Sequence, residues 1–223
     1  MELFKKIRII PIIIAVLIFS YINKKAKSNQ IETQESNIIE PTKEVEEQFM
    51  KENHIIKIGD RYQWYDVKES REVKPITDAL ERNCKNDFCK IENYFNYVKK
   101  IPYEAGRSNR DRNPIDIIME GKGDCDERSY LLASMMISNH YESIIIYTKD
   151  HAFIGLNIPN YDTEEPRSYF LYKNKKFYYA ETTDKNAVIG AYNGIDPKEL
   201  IHVYSVNEKK EIPLDQLNVQ IYI

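Results

Sequence analysis

The chain changes its hydrophobic period near residue 140. Before that point Phe88, Ile91, Phe95 and Val98 recur at three and four, so they share one face and predict a helix after Asp87 that ends before Pro102. Pro75 predicts a shorter helix through Leu80. Asn113-Pro114 reads as the cap and first residue of another, with Ile115, Ile118 and Met119 inward. A fourth helix begins at Cys125. Gly121 and Gly123 permit a sharp turn ahead of it, Asp124 is a natural N-cap, and Glu127 completes a capping-box pattern. Leu131, Leu132, Ala133, Met135, Met136 and Ile137 make this helix apolar nearly all round, which suits the centre of a domain. Asn139-His140 ends it.

Beyond that point the pattern is that of strands. Residues 143–148 are dominated by Ile, Lys149-Asp150 makes a turn, and 151–158 form the next strand. Residues 169–172 and 177–179 flank Lys173-Asn174-Lys175-Lys176, a hairpin signal. Residues 200–206 and 217–223 read as closing strands, and 62–67, rich in aromatics, as an early one. No internal repeat is visible. Helices followed by a run of antiparallel strands predict an α+β fold.

The amino terminus is different material. Lys5, Lys6 and Arg8 precede the apolar run 9–22, and Lys24, Lys25 and Lys27 follow it. The run holds about 14 residues against the ~20 of a spanning helix, the length of a signal-peptide core. Leu3, Phe4 and snorkelling lysines lengthen it, and no clean small-residue cleavage site follows, so an uncleaved signal-anchor is favoured over a cleaved, secreted form. Equal flanking charge leaves the orientation open. Residues 28–54 form a polar spacer, poor in aromatics, that cannot bury enough surface to pack. The expected organisation is therefore anchor 1–27, spacer 28–54 and a folded body 55–223.

Composition changes this picture little. A net charge of −3 and no basic stripe exclude nucleic acid as a partner. The three cysteines matter more. Cys84 and Cys89 stand five apart, and in an exported body they would close a small disulfide and leave Cys125 free. Four zinc ligands at suitable spacing are not found, so no metal or organic cofactor is expected. The acidic loop 162–165 is read as solvated rather than as a calcium site.

Cys125 at a helix start, His151 at a strand start and Glu181 at a strand end, in that order, are the parts of a cysteine nucleophile, its base and an orienting acid. A thiolate is the nucleophile, and the amino end of a helix favours it. Asp124, Asp126 and Glu127 oppose it, so a nearby imidazolium is required and His151 is its source. Asp150 adjoins His151 but strand neighbours point to opposite faces, which leaves Glu181 as the partner, with Asp184 as the fallback. His54, His140 and His202 are read as ordinary surface or core histidines.

The stretch from about Ile91 to Thr183 resembles the transglutaminase-like superfamily, whose fold is papain-like. The matching elements are Ile101-Pro102-Tyr103, the short helix 113–119, Gly121-Lys122-Gly123-Asp124-Cys125, His151-Ala152-Phe153 and Tyr179-Ala180-Glu181-Thr182. Two positions depart from the family pattern: Phe153 stands where Trp is usual, and Glu181 where Asp is commoner. The resemblance implies that the helix of Cys125 packs on an antiparallel sheet carrying His151 and Glu181. It further implies acyl transfer on an amide of a protein or peptide through a thioester, with Tyr103 as candidate for the oxyanion site. Water would make the enzyme a peptidase or amidase, and an amine a cross-linker; nothing suggests an amine tunnel, which favours water. The alternative is a non-catalytic, membrane-anchored binding module that kept the fold.

Overall fold

The computed structural model describes residues 55–58, 61–64, 67, 69–105, 114–161, 163–192, 194 and 196–222. The expected anchor 1–27 and spacer 28–54 lie outside them. No helix among the described residues is long and apolar enough to cross a membrane. Strands β1 (Ile55–Ile58) and β2 (Arg61–Trp64) pair as a two-stranded sheet. The early strand expected over 62–67 is described over Arg61–Trp64, and Val67 is not part of a strand.

The described residues from 67 to 222 form one compact unit. Helix α1 (Lys74–Glu81) carries proline in its first turn, where a missing N–H costs nothing. Helix α2 (Asp87–Val98) starts at Asn86, whose side chain accepts from the Cys89 N–H at 2.9 Å. It buries Ile91, Tyr94, Phe95 and Val98, one apolar stripe. A disulfide joins Cys84, just past α1, to Cys89 in the first turn of α2, with Cα atoms 5.4 Å apart.

Helix α3 (Pro114–Glu120) corrects one expectation. Only Ile117 is buried, and Met119 is 79% exposed. The helix meets the glycine turn through Ile117, whose Cγ2 would lie 3.2 Å from a Cβ at Gly123. That contact rotates Ile115, Ile118 and Met119 away from full burial. Gly121 takes a positive φ of 66°, which a side chain would strain. Helix α4 (Cys125–Ile137) follows with its capping box complete: the Asp124 carboxylate accepts from the Glu127 N–H, and the Glu127 carboxylate from the Asp124 N–H.

The large sheet contains β3 (Ser143–Tyr147), β4 (Ala152–Leu156), β5 (Tyr169–Tyr172), β6 (Lys175–Ala180), β7 (His202–Ser205), β8 (Lys210–Glu211) and β9 (Asn218–Gln220). Its order is β8-β7-β3-β4-β6-β5-β9, every pairing antiparallel. Strands β3 and β4 are buried at every position, as central strands covered on both faces must be. Ile144, Ile146, Phe153, Phe177, Tyr179 and Val203 pack on one face. On the other lies α4, whose Tyr130 hydroxyl meets that of Tyr147 at 2.7 Å. The β5–β6 turn needs only Lys173 and Asn174, both at positive φ (47° and 61°), so Lys175 and Lys176 belong to the strand. The short strand β8 carries no sequence signal; it pairs with β7 through Tyr204 and Ser205.

Candidate active site

Cys125 is the first residue of α4, placed there by the glycine turn and the Asp124 cap. The turn is itself fixed from outside. The segment leaving α2 bridges it in parallel, Tyr103 against Gly123, with the Gly123 N–H donating to the Pro102 carbonyl at 3.1 Å and the Glu104 N–H to the Gly123 carbonyl at 3.2 Å. Cys125 is a half-buried free thiol, with Sγ 3.8 Å from Asp126 Oδ1.

His151 stands one residue before β4. Its N–H donates to Thr148 Oγ1 at 3.1 Å, and its carbonyl accepts from the Thr148 N–H at 2.9 Å, so the ring is delivered by a closed turn. Glu181, one residue past β6, is 3% exposed. Its Oε2 lies 2.7 Å from His151 Nε2 and accepts from the Tyr179 hydroxyl at 3.2 Å. Its Oε1 accepts from the Thr183 N–H at 2.8 Å and the Thr183 hydroxyl at 2.6 Å. A buried carboxylate so surrounded is fixed in place.

The electrostatics follow from these contacts. Burial pushes Glu181 up, but the hydrogen bonds from His151 and Thr183 and the His151 charge outweigh it, leaving it below 4.5. Burial would pull the His151 imidazole down; hydrogen bonds and charges from Cys125 and Glu181 prevail and raise it from 6.5 to about 10. At neutral pH the arrangement thus favours the imidazolium form of His151.

Tyr103 is half exposed, and burial together with the nearby Cys125 holds its hydroxyl above the usual range. Asp184 turns elsewhere: its carboxylate accepts from the Asn186 N–H at 2.8 Å. Among the described residues no cluster of three or more His, Cys, Asp or Glu is arranged to hold a metal ion. Asp162, the first acid of the loop 162–165, lies outside the described residues.

Three contributors escape a reading of the sequence. Thr183 and Tyr179 hold Glu181, and their only signal is adjacency to it. Arg128 is 2% exposed, one helical turn beyond Cys125. Its Nη1 donates to the Thr182 carbonyl at 2.7 Å, its Nη2 to the Ile101 carbonyl, and its guanidinium carbon lies 5.3 Å from the Tyr103 ring centroid. The sole trace of this is a cation just ahead of the apolar run of the helix.

Residues 74–152 match the family model described as Transglutaminase-like superfamily. The match takes in Cys125 and His151 and stops short of Glu181. Residues 74–152 are thus similar to a transglutaminase-like core, a similarity that goes with the α+β architecture above and supports a cysteine-based catalytic function. No curated protein matches the chain. Solved structures with similarity include Legionella pneumophila LapG, at 13% identity, covering 58% of this chain and 70% of that one, with a TM-score of 0.36. Another is a proposed cysteine protease from Cytophaga hutchinsonii, at 12% identity, covering 70% of this chain and 52% of that one, with a TM-score of 0.41. A third is EGTA-treated LapG, at 16% identity, covering 52% of this chain and 60% of that one, with a TM-score of 0.34. The chain thus spans between 52% and 70% of the length of these structures.

Proposed function

We propose that the protein is a thiol-dependent hydrolase of amide bonds in proteins or peptides, acting through Cys125, His151 and Glu181. The observation that carries this reading is the His151–Glu181 contact of 2.7 Å beside the helix start that bears Cys125. The Cys125 sulfur attacks the amide carbonyl carbon and the carbonyl π electrons move to oxygen. First-turn N–H groups of α4, with the Tyr103 hydroxyl, would stabilise that oxyanion. The C–N bond then breaks as the His151 imidazolium gives its proton to the leaving amine. Water attacks the thioester, His151 takes a proton back, and the carbon–sulfur bond breaks to release the acid and restore the thiolate. Glu181 keeps the ring oriented and favours its charged form throughout.

We further propose that the body works outside the cytoplasm, tethered by residues 1–27. The Cys84–Cys89 disulfide supports an oxidising compartment. The experiment is iodoacetamide labelling across pH together with turnover of a fluorogenic peptide mixture. Cys125 is expected to be alkylated rapidly at about pH 6, and His151→Ala to slow this at least about tenfold. Cys125→Ala is expected to abolish turnover without changing the circular dichroism spectrum. An alkylation profile that His151→Ala leaves unchanged, with no turnover by the wild type, would sink the enzyme and favour a binding module.

A further inference from the structure

Arg128 is an expensive choice for its position. Burying a guanidinium removes it from water, and only a hydrogen-bonded setting makes that tolerable. Two of its nitrogens meet backbone carbonyls, those of Thr182 and Ile101, rather than a carboxylate. Its Nε is buried with no hydrogen-bond partner among the described residues. An aliphatic side chain of similar length would fill the same space without that cost, so the fork must serve its two acceptors. Those acceptors are informative. Thr182 directly follows Glu181, which orients His151, and Ile101 leads into the Tyr103 segment that bridges the glycine turn. A planar guanidinium can hold two carbonyls at a fixed separation, which a lysine cannot. Glu181 and Asp124 lie close enough to act on the charge of Arg128, so its cation sits near two carboxylates of the site.

We propose that Arg128 is a positioning residue, whose fork clamps the Glu181-bearing and Tyr103-bearing segments to the helix of Cys125 and so keeps the imidazole at the sulfur. This rests on the triad reading above. The test uses the full-length chain, with Arg128→Met and Arg128→Lys compared with His151→Ala. Iodoacetamide alkylation of Cys125 is followed against pH, and thermal unfolding is recorded alongside. Both Arg128 variants are expected to slow alkylation at about pH 6, by about tenfold for Met and less for Lys, while rates near pH 9.5 stay within about twofold of wild type. A merely structural arginine would lower the unfolding temperature and leave the alkylation profile superimposable, which overturns the proposal. Should the Met variant fail to fold, the Lys variant decides: a shifted profile supports the clamp and an unshifted one removes it. Unshifted Arg128 variants beside a shifted His151→Ala remove the clamp alone. If His151→Ala is also unshifted, the triad falls with it.

Discussion

At the scale of single residues the decisive balance is between desolvation and pairing at His151. Burial disfavours the imidazolium, yet Glu181 and Cys125 together outweigh it. Linkage then fixes the sign of a pH effect. The folded-state value is raised from 6.5 to about 10, so the proton is bound more tightly in the folded protein. The resulting stability is fully present below about pH 6.5 and is lost as the pH rises through about 10. Glu181 acts in the opposite sense, its contribution being present above its usual value and lost as the pH falls through the lowered one. The gap in thermal midpoint between wild type and His151→Ala should therefore be widest near about pH 6 and narrow toward about pH 10.5. Calorimetry over that range checks it; a gap independent of pH would mean that folding does not change how tightly the ring holds its proton. Cys125 and His151 stand out as candidates from residue type and local context, whereas Arg128 does not. A cation on a helix usually reads as solvated surface, and only packing reveals it as buried.

At the scale of elements, the start of α4 does two things at once. Its capping box satisfies the N–H groups of Asp124 and Glu127, and it places Cys125 at the first helical position. Both acids of the box are buried. Replacing Asp124 with Ala should cost about 1 kcal/mol of stability through the lost cap. Asp124→Asn keeps an acceptor and removes the charge; it should leave the unfolding midpoint near wild type and speed alkylation of Cys125 at low pH. Thermal melts and labelling rates on the two variants separate these effects. The glycine turn, the cap and the helix are legible because they are local: positive φ and capping geometry involve residues four or fewer apart. The inward face of α3 is not legible. Its rotation is set by where Ile117 meets Gly123, a contact that periodicity cannot place.

At the scale of the whole molecule, the strand order brings distant segments together. His151 precedes β4 and Glu181 follows β6, and these strands are sheet neighbours although 30 residues separate the pair. The Cys84–Cys89 bridge closes a short loop between α1 and α2, away from that meeting point in sequence. A loop so short restricts the unfolded chain modestly, by roughly 2 kcal/mol. Reduction should thus lower the thermal midpoint by roughly 4–8 °C while leaving the His151-dependent alkylation of Cys125 intact. Thiol counting on non-reduced protein should find one free thiol. Three would argue against the bridge and against the export that it supports.

The order of the helices and of the large sheet's strands other than β8, the cap at Asp124 and the candidate nucleophile and base are legible in local sequence, because hydrophobic period, turn chemistry and helix-end chemistry act over a few residues. Which carboxylate reaches the imidazole, what holds that carboxylate, and the burial of Arg128 between Ile101 and Thr182 were decided only by tertiary structure. Those contacts join residues some 27 to 54 positions apart. Their closeness depends on strand register and helix packing, which the pattern of any one segment does not contain.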